Sequence, residues 1–349
     1  MAKNIVGIDI SSWGIRAVEV SDATKARPTV VKYASMPLPE GAVSRGEVAE
    51  PATVSTAMRQ LWSHAKFTSK DVVLGIGNSR VLARDLSVPR MSIQRIRESL
   101  PFQVQDMLPV PVEDALLDFY PISESTTDQG PMVNGLLVAA VKDSVSTNVK
   151  AMQLAGLSPT DVDLIPFALC RVLLRGANMS GTVAIVDIGG STTTVVVATN
   201  GVPQFVRIIP AGGADITDAI ARELDLTPEQ AETSKRALGL STVGVAVENR
   251  PIVEAIYRVA GDLVNGLRNT LNYFATSRPQ DPVRALVLTG GGARLVGLAE
   301  ALGESTHIPT VQGNPLETIT VGRGVAPEMV RGITDSGAVA LGLALGSAA

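Results

Sequence analysis

The chain has 349 residues, 45% of them hydrophobic and 18% charged, with 34 acidic against 30 basic residues and a formal net charge of −4. That length predicts two domains or a divided one, and the balance of charge excludes the basic footprint of a nucleic-acid binder. The single Cys170 excludes an intrachain disulfide and fits a reducing compartment, while no apolar run nears the roughly 20 residues of a membrane-spanning helix and Met1–Ile10 does not read as a signal peptide.

In chain order, Asn4–Ile10 reads as a buried strand ending in Asp9-Ile10-Ser11-Ser12-Trp13-Gly14, followed by strands over Ile15–Val20 and Thr29–Ala34. A helix over Ala52–Ala65 and strands over Asp71–Gly77 and Val81–Val88 come next. Ser92 caps a helix expected to reach Met107, where the prolines of Leu108–Pro111 stop it. Strands over Ala115–Ile122 and Gly135–Val141 flank a polar loop, Ser123–Gly130. A helix over Lys142–Ala155 ends at Gly156–Pro159, and another covers Ile165–Gly176.

The second half opens as the first did. Thr182–Ile188 is a buried strand ending in Asp187-Ile188-Gly189-Gly190-Ser191-Thr192. A β-branched strand, Thr193–Thr199, then turns at Asn200-Gly201 into a third, Pro203–Ile209, a strong hairpin pattern. Helices follow over Gly213–Leu224 and, with Thr227 as cap and Pro228 in the first position, on to Leu238. Pro251–Ser277 is one long helix whose Ile252, Ile256, Val259, Leu263, Leu267, Leu271 and Phe274 form a core-facing stripe. The strand Arg284–Thr289 runs into Gly290-Gly291-Gly292, a helix is expected over Arg294–Leu302, and the Ala/Gly-rich Ser336–Leu345 is a closing helix.

The repeated three-strand unit, with an acid and small hydroxyl residues at its first turn, predicts duplicated lobes. A buried unpaired carboxylate at the end of an apolar strand is costly. One hydrated Mg²⁺ between Asp9 and Asp187 and a phosphate chain resolves that cost. Ser11 and Ser12 on one side, and Gly189, Gly190, Ser191 and Thr192 on the other, offer hydroxyls and close backbone approach to phosphate oxygens. The triple glycine lacks the spacing of a dinucleotide fold or a P-loop. Neither histidine, His64 or His307, lies near these turns.

These turns, in this order, resemble the actin, hexokinase and heat-shock chaperone superfamily: phosphate motifs at Gly7–Ser12 and Val186–Thr193, an adenosine motif at Leu288–Ala293, and connecting helices at Ile165–Leu174 and Ser336–Leu345. Pro101-Phe102-Gln103, Met107–Pro111, Leu137–Ala140, Pro166–Leu169, Gly212–Thr217, Leu271–Phe274 and Gly313-Asn314-Pro315 narrow this to a likeness with the PilM family of type IV pilus assembly proteins.

The resemblance implies an α/β, actin-like fold of two ribonuclease-H-like lobes with an inserted small α+β subdomain. Residues 1–88, 166–180 and 336–349 would form the first lobe, 89–165 the insertion, 181–212 and 278–335 the second lobe, and 213–277 a helical subdomain. It also implies that ATP with Mg²⁺ is held by Asp9, Ser11, Ser12, Gly189, Gly190, Ser191, Thr192, Gly213, Glu232, Lys235, Gly290, Gly291, Gly292 and Ala293, with Asp9 and Asp187 on the metal side. Read from the residues alone, Glu232 and Lys235 are equally an exposed helical charge pair.

Family members dock the cytoplasmic N-terminal peptide of the inner-membrane protein PilN between the first lobe and the insertion. That implies a cytoplasmic scaffold peripheral to the membrane, with turnover of ATP slow at most. Two departures stand out: Ser11 replaces the family's usual glycine, and the large Trp13 stands where small hydroxyl residues are usual, with Gly14 able to restore the bend if the ring turns outward. A more distant likeness to FtsA leaves a division filament as an alternative, and the superfamily leaves a small-molecule kinase.

Overall fold

A computed structural model describes residues 4–128, 130–175, 180–241 and 244–346; the expected helix end at Gly176 and the tail beyond residue 346 lie outside them. Two mixed sheets share one plan. In the first, Ile5–Ser11, Gly14–Ser21 and Thr29–Pro37 form an antiparallel meander, and Asp71–Ile76 and then Ser158–Leu164 add in parallel beyond the first strand. In the second, Thr182–Ile188, Thr193–Thr199 and Val202–Ile209 form the meander, and Val283–Thr289 and then Thr310–Gln312 add in parallel. Each first strand is thus central and covered on both faces. For that reason Val6 and Ile8, and Val183 through Val186, are buried in runs rather than in alternation.

Helices Ile165–Leu173 and Ala338–Ala344 lie between the lobes. Their Ala168, Leu169, Val172, Leu341 and Leu343 join Val18, Val20 and Val30 of one lobe to Ile185, Val196 and Val287 of the other in a single buried cluster. The crossing is close because position 342 carries no side chain: a Cβ there would sit 2.1 Å from the Ala168 carbonyl oxygen.

A separate three-stranded antiparallel sheet spans residues 81–141, with Gly130–Val141 between Val81–Pro89 and Ala115–Thr127. Helix Ile93–Gln103 covers one face, packing Ile96 and Leu100 against Val88, Phe119, Val133 and Leu137. Ser92 caps it, accepting from the Arg95 backbone N–H. The helix ends four residues before the expected Met107, in a 3₁₀ turn at Gln105–Met107.

Two other expectations are corrected, and one strand is added. Most of the polar loop Ser123–Gly130 is strand: the hairpin stays paired to Thr127 and Gly130, and its residues are polar because the strand is an exposed edge. The helix ending before Gly156–Pro159 stops as expected, but Ser158–Leu164, given no element by the sequence, is a strand; Pro159 is tolerated because the strand is the last in its sheet. The helix expected from Arg294 begins at Leu298, after a 3₁₀ turn over Gly291–Arg294. The small sheet itself spans residues 81–141, while helix Lys142–Leu154 and strand Ser158–Leu164 pack on the first lobe.

In the second lobe the 28-residue helix Arg250–Ser277 serves two cores. Ile252, Ala255, Ile256 and Ala260 pack with Ile216, Ile220 and Ala231 of helices Gly213–Leu224 and Pro228–Leu238. Leu263, Val264 and Leu267 pack beneath Val186, Ile188 and Val195 of the sheet.

The close helix crossing sets a testable asymmetry between two glycines. Gly342→Ala forces backbone apart and is expected to destabilise the chain by about 1–3 kcal/mol. Gly261→Ala, in open space mid-helix, is expected to stabilise it by about 0.5–1 kcal/mol. Denaturant unfolding measures both, and a neutral Gly342→Ala would refute the crossing.

Candidate functional site

Because the lobes repeat one topology, the turn after each first strand arrives at the same place. The two turns face each other across a cleft of about 570 Å³. Asp9 and Ser11 line it from the first lobe, and Asp187, Gly189, Gly190, Ser191 and Thr192 from the second. Gly213 at a helix start, Glu232 and Lys235 from the next helix, and Gly290, Gly291 and Gly292 complete the wall. Of the residues expected here, Ser12 instead bonds across to Ser191, and Ala293 faces the core with only 1% exposure.

The carboxylates dominate the electrostatics. Burial pushes the Asp9 carboxyl above its usual range, against the pull of the Arg16 guanidinium, whose Nη1 donates to Asp9 Oδ2 at 3.2 Å. Asp187 is pushed up to about 7, first by burial and then by the Asp9 charge, with Arg16 opposing. Among the described residues no hydrogen bond or ion pair reaches the Asp187 side chain. The residues fit a hard divalent cation: two carboxylates whose mutual repulsion it would relieve. No group of three or more His, Cys, Asp or Glu gathers among the described residues, so a cation held there would need water or other oxygen ligands to complete its shell.

Arg16 was not singled out from the sequence, yet it is the cleft's nearest positive charge. It also donates to Ser11 Oγ and Ser336 Oγ. The signal was available: Asp9 and Arg16 face each other in the hairpin register, so their side chains share a face. Arg236 and Arg294, also unread, line the cleft too. Arg294 pairs with Asp335 of helix Pro327–Ser336, which packs on the first lobe.

Lys235 and Glu232 are no exposed pair. Lys235, 9% exposed, donates through Nζ to the Gly213 carbonyl oxygen at 2.9 Å and to Thr217 Oγ1 at 2.8 Å, and pairs with Glu232. Burial alone would raise the Glu232 carboxyl, but hydrogen bonds from Lys235, Thr217 and Arg236 hold it at about 2. Glu232 therefore stays charged at neutral pH, and its bonds to Thr217 and Lys235 tie together the two helices that border the cleft. The second turn is braced on the same subdomain: the Gly213 and Ala214 N–H groups donate to the carbonyl oxygens of Gly189 and Gly190.

A family model for the type IV pilus assembly protein PilM matches residues 7–348. A chain of a PilM-PilN type IV pilus biogenesis complex is 29% identical, each chain covered in full, with a TM-score of 0.85. The cell division protein FtsA of Bacillus subtilis is 25% identical over 256 residues, 67% of this chain and 58% of that one. The chain spans about half the length of the curated relatives it matches. MreB5 of Spiroplasma citri, solved with AMPPNP, shares the fold at 11% identity and a TM-score of 0.53, with 89% of this chain and 92% of that one covered. The fold is therefore the actin-like one.

The charge at Asp187 has a stability consequence. Its folded pKa of about 7 lies above the ordinary carboxyl value of 3.8, so between the two the folded chain holds a proton that the unfolded chain has lost. Stability then falls as pH rises between those values. Asp187→Asn is expected to unfold at a higher temperature than the unsubstituted chain at about pH 8 without divalent cations, with the gap closing toward about pH 4. Calorimetric scans at the two pH values check it, and equal midpoints at the higher pH would count against the carboxylate repulsion.

Proposed function

Since the chain belongs to the family of the type IV pilus assembly protein PilM, we propose that it is an ATP-binding platform of a type IV pilus machinery. It is held at the inner face of the membrane by the cytoplasmic N-terminal peptide of a PilN-like protein. The observation that carries this reading is the full-length likeness to a chain of a PilM-PilN complex. The FtsA likeness is lower in identity and covers between half and two thirds of this chain, so a division-filament role is the weaker reading. Among the described residues no helix is long and apolar enough to cross a membrane, which favours attachment through a partner.

In this reading the nucleotide's phosphates lie between the two turns, near Ser11, Ser12 and Gly189 through Thr192. Asp9 and Asp187 hold Mg²⁺, which neutralises phosphate charge when bound. Glu232, Lys235 and the Gly290–Gly292 turn border the nucleoside. Ala293 supports that turn from the core. Among the described residues no histidine lines the cleft, and Asp9 and Asp187 are assigned to the metal rather than to a general base. Turnover of ATP without a partner is expected below about 1 s⁻¹.

The peptide is expected to lie between the first lobe and the unit 81–141, its backbone fixing the register and its apolar side chains filling pockets. A photo-crosslinking peptide of the PilN-like N-terminus should label residues of that unit and of the first lobe. Labels confined to 213–277 would overturn the placement. Calorimetry should show Mg²⁺-dependent ATP binding that Lys235→Ala weakens at least about tenfold, since a single lost charged contact reaches 1.4 kcal/mol. Absence of any binding would overturn the nucleotide reading.

A further inference from the structure

Trp13 is the largest side chain at the phosphate end of the cleft, and neither lobe's core holds it: it is 49% exposed. Its contact is with the opposite lobe. A Cβ built on Gly190 would fall 2.2 Å from both Cδ1 and Nε1 of the Trp13 ring, so the ring rests directly on the Gly190 backbone. Beside it Ser12 Oγ and Ser191 Oγ share a hydrogen bond of 2.9 Å between the two turns. Ser11 Oγ donates to the Gly14 carbonyl oxygen at 3.0 Å, which pins the first turn in the shape that presents Trp13. The turns meant to embrace a phosphate chain therefore touch each other at their tips, while the floor between Asp9, Asp187 and Gly189 stays open as part of the cleft.

Resting on the nucleotide reading above, we infer that Trp13, with the Ser12–Ser191 bond, is a gate that sets how many phosphates the closed cleft accepts. A nucleoside diphosphate fits on the floor with the tips in contact. A terminal third phosphate needs the space between the hydroxyls, so the bond opens and the ring leaves Gly190. The apparent affinity for a triphosphate is lowered by the fraction of molecules with the gate open, and that for a diphosphate is not. Trp13 is in this sense a specificity-determining residue.

Binding of ATP and of ADP, each with Mg²⁺, is measured by calorimetry on the full chain and on Trp13→Ser and Trp13→Phe. Trp13→Ser is expected to tighten ATP relative to ADP by about tenfold, equivalent to about 1.4 kcal/mol. Trp13→Phe, which keeps a ring over Gly190, is expected to stay near the unsubstituted ratio. In the unsubstituted chain the emission of Trp13, taken as the difference from Trp13→Phe to remove Trp62, should shift with ATP and not with ADP. An unchanged ATP-to-ADP ratio in Trp13→Ser, or equal emission shifts with both nucleotides, overturns the gate and leaves nucleotide binding intact. A chain that binds neither nucleotide overturns both.

Discussion

Two carboxylates of like sign, each at the end of a buried central strand, are the constraint on which the cleft depends. Neither can be solvated as it would be in water, and the Asp9 charge adds to the cost of ionising Asp187. Arg16 answers half of this from within one hairpin, by pairing with Asp9. Asp187 is left as the group with an unmet demand for positive charge. One substitution could remove that strain, so the pair marks the place where a cation would contribute most. A cation bound there would stabilise the fold by mass action as well as fill a site.

The rest of the architecture keeps those strand ends opposed. The helices between the lobes approach to backbone contact at Gly342, which a larger residue would prevent. Their apolar side chains weld the inner faces of both sheets into one core. The lobes are thus fixed at their base, and the contacts at their rim include small ones: Ser12 to Ser191, Trp13 on Gly190, and Arg294 with Asp335. An exposed ion pair is worth about 0–1 kcal/mol, so the rim is cheap to open and the base is not.

The sequence carried the duplication clearly, because buried parallel and central strands read as continuous apolar runs and both ended in an acid. It was a poor guide where sheet membership depends on a distant partner. Val81–Pro89 reads as a strand in either sheet, and only its pairing with Gly130–Val141 assigns it to the small one. Ser158–Leu164 carries Pro159, Asp161 and Asp163, a poor strand composition that an edge position permits. Within the cleft, the turn residues were legible from their chemistry. Arg16 needed the hairpin register. The burial of Lys235 needed the contact of two helices, and the inward placement of Trp13 needed the approach of two lobes. Neither is local to the sequence around those residues.

The long second-lobe helix connects regions that otherwise share no element. Its first half packs on the helix carrying Glu232 and Lys235 and on the helix before it, its second half supports the strand that carries Asp187, and Arg278 just beyond its end reaches Asp85 of the small sheet at 3.0 Å and Gln204 at 3.2 Å. A helix of 28 residues is about 42 Å long at 1.5 Å per residue, and a packed rod of that length turns as one body. The Arg278–Asp85 pair is too exposed on the aspartate side to carry much energy, about 0–1 kcal/mol. The abutment of Val202–Ile209 on Val81–Pro89 beside it is the stiffer link, because packed strands resist displacement where a solvated ion pair only rearranges. The small sheet is therefore joined mechanically to the second lobe as well as by chain to the first. Any change in the angle between the lobes alters the bed on which that sheet sits.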